Sequence, residues 1–303
     1  MSTSKRLLLV ASPLMHRTSA FDRAAALAKA YGVPLHIVAF DYVEGLATAG
    51  LVNEEALAEM RTGYLLRHRQ WLEEQALPLR TRGIEVTTEV IWVQRPLEEI
   101  LLHAKEMNPL MLIKDLEHES LLSRTLFTPV DLHLLRDCST PLHLVSTTKH
   151  AIPRKVLAAI DPFRAEEQFE NFNDQIIAAA EKLAAVCNAE LHLLHAYDLS
   201  YVYASEGMTS TWFASGLGDD LYDTQANAFS ELADRYKIPA ERRHFILGVP
   251  SKVISNYARE REIDVIVLGT VHRKGLNKLL GSTAEHVVYN MPCSLLAVTP
   301  SPV

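Results

Sequence analysis

The chain says nearly the same thing twice. Lys5-Arg-Leu-Leu-Leu-Val-Ala-Ser-Pro13 returns as Lys155-Val-Leu-Ala-Ala-Ile-Asp-Pro162, and Pro34-Leu-His-Ile-Val-Ala-Phe40 returns as Glu190-Leu-His-Leu-Leu-His-Ala-Tyr197. Pro109-Leu-Met-Leu-Ile113 is answered by Asp264-Val-Ile-Val-Leu268, and Pro141-Leu-His-Leu-Val-Ser146 by Ser294-Leu-Leu-Ala-Val-Thr299. The blocks keep their order and nearly their spacing, so residues 1–150 and 151–303 read as two copies of one domain. A chain of 303 residues has room for two such cores. Each copy then serves as a control for the other.

Within each copy, short apolar runs alternate with amphipathic stretches. In copy one the strands are predicted at Leu7–Ala11, Leu35–Phe40, Thr87–Val93, Leu110–Lys114 and Leu142–Val145. The helices between them are Ala20–Tyr31, Asn53–Gln75, Leu97–Met107 and Pro129–Arg136. Copy two offers strands at Val156–Ile160, Leu191–Ala196, Val265–Leu268 and Leu295–Thr299. Its helices are Gln168–Cys187, Leu221–Tyr236, Ser251–Arg261 with Ser251 as cap, and Ser282–Asn290. Runs of four to six apolar residues suit parallel strands covered on both faces. Strand–helix alternation then means a parallel α/β sheet with right-handed crossovers. The linker, about Thr147–Pro153, is not flexible Gly/Ser sequence, so the halves are expected to pack together. Leu199–Asp220, with Trp212 and Phe213, is the longest irregular stretch and reads as a lid or as a cover for the sheet edge.

Composition excludes several classes. A formal charge of −7 argues against a protein that grips nucleic acid by neutralising phosphates, although it permits an anion site built from backbone amides. Cys138, Cys187 and Cys293 are odd in number and lack a CxxC pair, so they read as small buried thiols in a reducing cytoplasm. The apolar run at Leu7–Val10 is too short for a secretory signal, and its twin lies in mid-chain. Nowhere are there 18 uninterrupted apolar residues, so no membrane span is expected.

In open α/β sheets, ligands bind beyond the carboxyl ends of the strands. In copy two those positions carry Asp161-Pro162, Ala196, Gly248-Val-Pro250 and Gly269-Thr270. The chain then continues through His272, Arg273, Lys274 and Gly275 to Gly281, Ser282, Thr283 and Glu285. Glycines allow close approach of backbone to phosphate, the amides of the next helix can receive its charge, and Arg273 and Lys274 add positive charge. Each element also has a plain reading. Ser282 with Glu285 forms a capping box, Asp161-Pro162 is a turn initiator, and Arg273-Lys274 is a solvated loop. Among thirteen histidines, His36 and His192 stand at matching strand positions, which argues for a shared structural role, whereas His195 sits at a strand end beside the cleft. No HExxH, GxSxG, Walker or GxGxxG motif occurs, so no catalytic residue is assigned.

These features resemble the universal stress protein family, in particular its tandem two-domain branch typified by the bacterial E-type proteins. The resemblance rests on the Ile160-Asp161-Pro162 turn, the Leu194-His195-Ala196 strand end, the Gly248-Val-Pro250 turn, the Gly269…Gly281-Ser282 loop, and Phe127–Arg136 in copy one. It implies two adenine nucleotide alpha hydrolase-like domains. Each would be a five-stranded parallel sheet of order 3-2-1-4-5 flanked by helices, and the edge strands 142–146 and 295–299 would join the domains as an intramolecular pseudo-dimer. Nucleotide-binding members use a G-x2-G-x9-G-[S/T] loop on the phosphates. By similarity Gly269, Gly281, Ser282 and Thr283 would hold phosphate, Asp161 and Ala196 adenine, and Mg²⁺ would accompany a triphosphate. This chain departs from that pattern. His272 stands at the second glycine with Gly275 nearby, and the next spacer is one residue short. In copy one Ser12 replaces the Asp, Lys114-Asp115-Leu116-Glu117 the glycine opening, and Phe127-Thr128 the Gly-Ser. Copy one is therefore expected to bind no nucleotide, and copy two to bind ATP or a related adenine nucleotide weakly.

Three functions follow. The leading one is a non-catalytic stress-response protein that binds adenine nucleotide in copy two and acts through protein partners. The second is a slow Mg²⁺-dependent ATPase, for which no base or water-positioning residue is identified. The third is a binding module for an apolar or lipid-like ligand in copy one, where Leu121, Leu122, Leu126 and Phe127 stand in place of glycines. Homodimerisation carries no signal either way.

Overall fold

A computed structural model describes residues 5–41, 54–116, 130–146, 149–163, 171–198, 217–270, 287 and 292–300. The chain separates into two compact units, Met1–Ile152 and Pro153–Val303. In unit one, β1 (Leu7–Val10), β2 (Leu35–Asp41), β3 (Val86–Trp92), β4 (Met111–Asp115) and β5 (Leu142–Val145) pair in parallel in the order β3-β2-β1-β4-β5. Its helices are α1 (Ser19–Tyr31), α2 (Glu54–Thr81), α3 (Pro96–Met107) and α4 (Val130–Asp137).

Unit two repeats the plan. β6 (Lys155–Ala159), β7 (Glu190–Tyr197), β8 (Arg243–Leu247), β9 (Val265–Gly269) and β10 (Ser294–Val298) pair in parallel in the order β8-β7-β6-β9-β10. The helices α5 (Phe172–Cys187), α6 (Leu217–Arg235) and α7 (Pro250–Glu260) run between them. Both units thus have the 3-2-1-4-5 order that the resemblance implied.

The apolar runs become strands because neither face is left to water. Leu7, Leu8 and Leu9 are fully buried, as are Val156, Leu157 and Ala158. Helix ends follow local chemistry. α1 stops at Gly32, whose φ of 65° suits a residue without a Cβ. α3 and α7 each open with proline at the first helical position, where the missing N–H costs nothing.

Three boundaries differ from the sequence reading. α2 runs past Gln75 to Thr81 with Pro78 inside it, because Leu72, Ala76 and Leu79 form one fully buried stripe that carries the helix through the proline. α6 begins at Leu217 rather than Leu221, with Asp219 and Asp220 in its first turn, where acids meet the positive end of the helix dipole. Ser251 is no cap. Pro250 opens α7 and Val249 holds the cap position without a side-chain bond. All three cysteines are buried and none is in a disulfide. Among the described residues, no helix is long and apolar enough to cross a membrane.

Candidate functional site

The carboxyl ends of β6, β7, β8 and β9 lie along one edge of the second sheet, because all four strands are parallel. Asp161 follows β6 and is exposed. Its side chain accepts the Phe163 N–H at 3.1 Å, which is an Asx turn. Its backbone is clasped from both sides by Asn173 of α5, whose Oδ1 accepts the Asp161 N–H (3.1 Å) while its Nδ2 donates to the Asp161 carbonyl (2.8 Å). The carboxylate is thus held at the rim of the sheet by its own turn. Asn173, which sequence reasoning passed over, fixes that position.

The two glycines of this edge have different reasons. Gly248 has a φ of 144°, a backbone region that L side chains rarely adopt, and a Cβ there would meet Val253 Cγ2 at 2.9 Å. Its N–H donates to the Tyr197 carbonyl at 2.9 Å, turning the chain from β8 into α7. Gly269 ends β9 with no such φ. A Cβ on it would lie 2.3 Å from Phe172 Cε1 and 2.9 Å from Ile176 Cδ1, so the first turn of α5 sits directly against this glycine. Thr270, next in line, is fully buried and donates its N–H to Val298 O at 2.9 Å.

Ala196 is 9% exposed near the end of β7. Its neighbour His195 is buried and engaged at both nitrogens, with Nδ1 3.1 Å from the Ile160 carbonyl and Nε2 3.0 Å from the Gln225 amide of α6. A carbonyl can only accept, so Nδ1 donates to Ile160, and Nε2 accepts from Gln225 with that amide turned to present its NH2 group. His195 therefore ties β6 to α6, a structural role. Phe229 and Phe245 pack against its ring with centroids 6.3 and 5.5 Å away, and Tyr197 and Tyr222 join Phe245 at 5.7 and 5.1 Å. His272, Arg273, Gly275, Gly281, Ser282 and Thr283 lie outside the described residues, as do Glu285, Trp212 and Phe213.

The corresponding edge of unit one is built differently. Leu110 N–H bonds to Arg6 O, and Asp264 N–H to Lys155 O. This shifts the sequence alignment by one residue, so Asp115, not Lys114, stands where unit two has Gly269. Lys114 lies within β4, 4% exposed, and its Nζ meets Asp131 Oδ1 of α4 at 3.1 Å, with Asp131 itself 1% exposed. Asp41, at the position of Tyr197, is fully buried against His68 of α2. Ser12, at the position of Asp161, is buried and accepts the Leu14 N–H at 3.3 Å. Unit one thus places internal ion pairs where unit two has Leu268 and Tyr197, and an aspartate where unit two has Gly269. Leu121, Leu122, Leu126, Phe127 and Thr128 lie outside the described residues.

A second polar cluster of unit two sits toward the amino end of β7. His192 Nδ1 lies 3.2 Å from His244 Nε2, and Tyr257 Oη of α7 lies 2.6 Å from that same Nε2. Burial, then the neighbouring His192, then Arg261 hold His244 down to about 4. Burial lowers His192 as well, against the opposing pull of Glu190. An unfolded histidine protonates near 6.5, so on acidification the unfolded chain takes up protons first. Native stability is then lost as pH falls from about 6.5 towards 4, and nothing is lost above that range. Discounted for a half-exposed ring, the effect of His244 is about 1–2 kcal/mol. Thermal melts of His244→Gln should show a flatter fall between pH 7 and pH 4.5 than the parent chain. An unchanged slope would assign the acid sensitivity elsewhere.

The model of the universal stress protein family matches residues 3–146 and again 154–299. The Universal stress protein E homolog of Haemophilus influenzae is 27% identical over 303 residues, covering 98% of this chain and 98% of the relative. Universal stress protein E of Escherichia coli strain K12 is 27% identical over 305 residues, covering 99% of this chain and 95% of its own. A functionally unknown protein of Pseudomonas aeruginosa PAO1 has the same fold, with a TM-score of 0.75 at 22% identity over 98% of this chain and 93% of that one. The chain belongs to the universal stress protein family, as a tandem of two such domains.

Proposed function

We propose that this tandem universal stress protein is a non-catalytic stress-response protein that binds an adenine nucleotide such as ATP weakly at the carboxyl edge of its second sheet, and acts through protein partners. The observation that carries the reading is the asymmetry between the two edges. Unit two presents an exposed Asp161 in an anchored turn, with Gly248 and Gly269 at the neighbouring strand ends, whereas unit one has a buried Ser12 and an aspartate, Asp115, at the positions of Asp161 and Gly269, and buries the Asp41–His68 and Lys114–Asp131 pairs beside them. In this proposal Asp161 and the backbone at Ala196 face the base. Gly269 and the following chain, through His272, Arg273, Gly275, Gly281, Ser282 and Thr283, receive the phosphates, with Mg²⁺ as companion of a triphosphate. A reducing, cytoplasmic setting is supported by three buried cysteines outside any disulfide. Two family domains in one polypeptide support an intramolecular pseudo-dimer.

The test is a calorimetric titration of ATP, ADP and AMP, with and without Mg²⁺, against the parent chain and Asp161→Ala. One site per chain, weakened about tenfold or more in the variant, is the expected result; loss of a charge-assisted hydrogen bond at the base is worth about 1.5–3 kcal/mol. No binding at millimolar nucleotide would end the nucleotide reading. Phosphate release that disappears in Asp161→Ala would turn it into the ATPase alternative.

A further inference from the structure

Three ligand-type side chains of unit one converge from three elements, away from the carboxyl edge. His36 is the second residue of β2, Glu89 lies in the middle of β3 and His103 on α3. His36 Nε2 is 3.3 Å from Glu89 Oε2, and His103 Nε2 is 3.4 Å from the same oxygen. The ligand atoms of all three lie within 4.8 Å of one another. We propose that His36, Glu89 and His103 form a binding site for a divalent cation of borderline softness, Zn²⁺ in the first instance.

The spacing is the first argument. Two ligands at tetrahedral angles on bonds of about 2.0–2.1 Å lie about 3.3 Å apart, which is the separation of each imidazole nitrogen from the carboxylate oxygen. The His36 ring supplies the second. Its Nδ1 is 2.7 Å from Thr87 Oγ1, and with Nδ1 donating to that hydroxyl the Nε2 lone pair faces Glu89, as a polar partner orients a metal-binding imidazole. Nε2 is buried, on a residue only 7% exposed, and the group it faces at 3.3 Å is the Glu89 carboxylate.

Access is the third argument. β3 is the outer strand of its sheet, and the Glu89 side chain is 45% exposed, which leaves an entry path and a fourth position for water. The His36 and His103 rings lie 6.0 Å apart and 14° from parallel, so closing on a cation requires the His103 ring to turn, which its partly exposed helix position permits. Two imidazoles and a single carboxylate favour Zn²⁺ over Mg²⁺, which prefers oxygen ligands in an octahedron.

The other copy sharpens the contrast. By strand register and helix start, His192, His244 and Tyr257 occupy the positions of His36, Glu89 and His103. There the tyrosine hydroxyl bonds directly to His244 Nε2 at 2.6 Å, and none of the three is a carboxylate. Unit two joins its three side chains directly by hydrogen bonds; unit one sets a carboxylate between two imidazoles.

Calorimetric titration of the full chain with ZnCl₂, in chelator-treated buffer containing excess Mg²⁺, tests this. The expected result is one Zn²⁺ per chain, with affinity reduced at least about tenfold in Glu89→Gln and in His103→Gln, both retaining the parent's circular dichroism, and unchanged in His244→Gln. Co²⁺ added instead should give visible d–d bands that the same two substitutions abolish. Absence of saturable Zn²⁺ binding to the parent would overturn the proposal, as would undiminished affinity in both variants.

Discussion

Lys114→Ala should destabilise unit one by about 3–5 kcal/mol, the range found when one partner of a buried ion pair is removed. Lys114 Nζ meets Asp131 Oδ1 at 3.1 Å and donates to the Asp115 carbonyl at 3.1 Å. Side-chain exposures of 6% and 2% leave almost no water to take over the Asp131 charge once the ammonium is gone. The variant's carboxylate has to stay charged in a poor solvent, take up a proton, or open the packing of α4 on the sheet. Replacing both partners by apolar residues of similar size, Lys114→Met with Asp131→Leu, removes both charges together and should recover most of the loss. With two domains in the chain, denaturant unfolding has to be followed as separate transitions, and only that of unit one should move. A single-variant cost below about 1 kcal/mol would mean that the pair is hydrated and behaves like a surface salt bridge.

That pair marks the boundary of what the residues alone disclose. β1, β2 and β4 are legible because both faces of each strand are buried, so an apolar run admits no other reading. Lys114 interrupts such a run, and a lone charge there signals a strand end. Only tertiary structure brings Asp131 of α4 to it and makes the charge tolerable inside β4. Pro78 misleads in the same way, since a local breaker argues for a stop at Gln75 while the buried stripe through Leu79 overrides it. At the site, Asp161, Ala196, Gly248 and Gly269 do gather at one edge, because strand ends in a parallel sheet are set by topology. What pattern reading cannot reach is the cause of each residue. Asn173 behind Asp161, Gln225 behind His195 and Phe172 behind Gly269 all come from helices, and no periodicity announces them. The histidines follow the same rule. His36 and His192 match in sequence, but whether each is sealed or open depends on Glu89, Thr87 and His103 in one copy and on His244 and Tyr257 in the other.

The Phe172 contact makes Gly269 the position where packing and ligand binding can be separated. Gly269→Ala places a methyl 2.3 Å from Phe172 Cε1 and 2.4 Å from Cζ, on a ring that is only 5% exposed and cannot swing freely into water. Overpacking of this kind costs about 1–3 kcal/mol, read as a lower unfolding midpoint for unit two. Phe172→Leu shortens the obstructing side chain, so adding Gly269→Ala to it should cost clearly less than adding the same substitution to the parent, a coupling of about 1–2 kcal/mol between residues in contact. Additive costs would mean that the glycine is required by something other than Phe172. The double variant then decides what the glycine is for. If Gly269 exists only to receive the aromatic ring, ATP binds the double variant as well as it binds Phe172→Leu. If the backbone at Gly269 also has to approach a phosphate, the double variant recovers most of its stability and still binds ATP more weakly, through backbone displaced at residue 269, since the methyl itself faces α5.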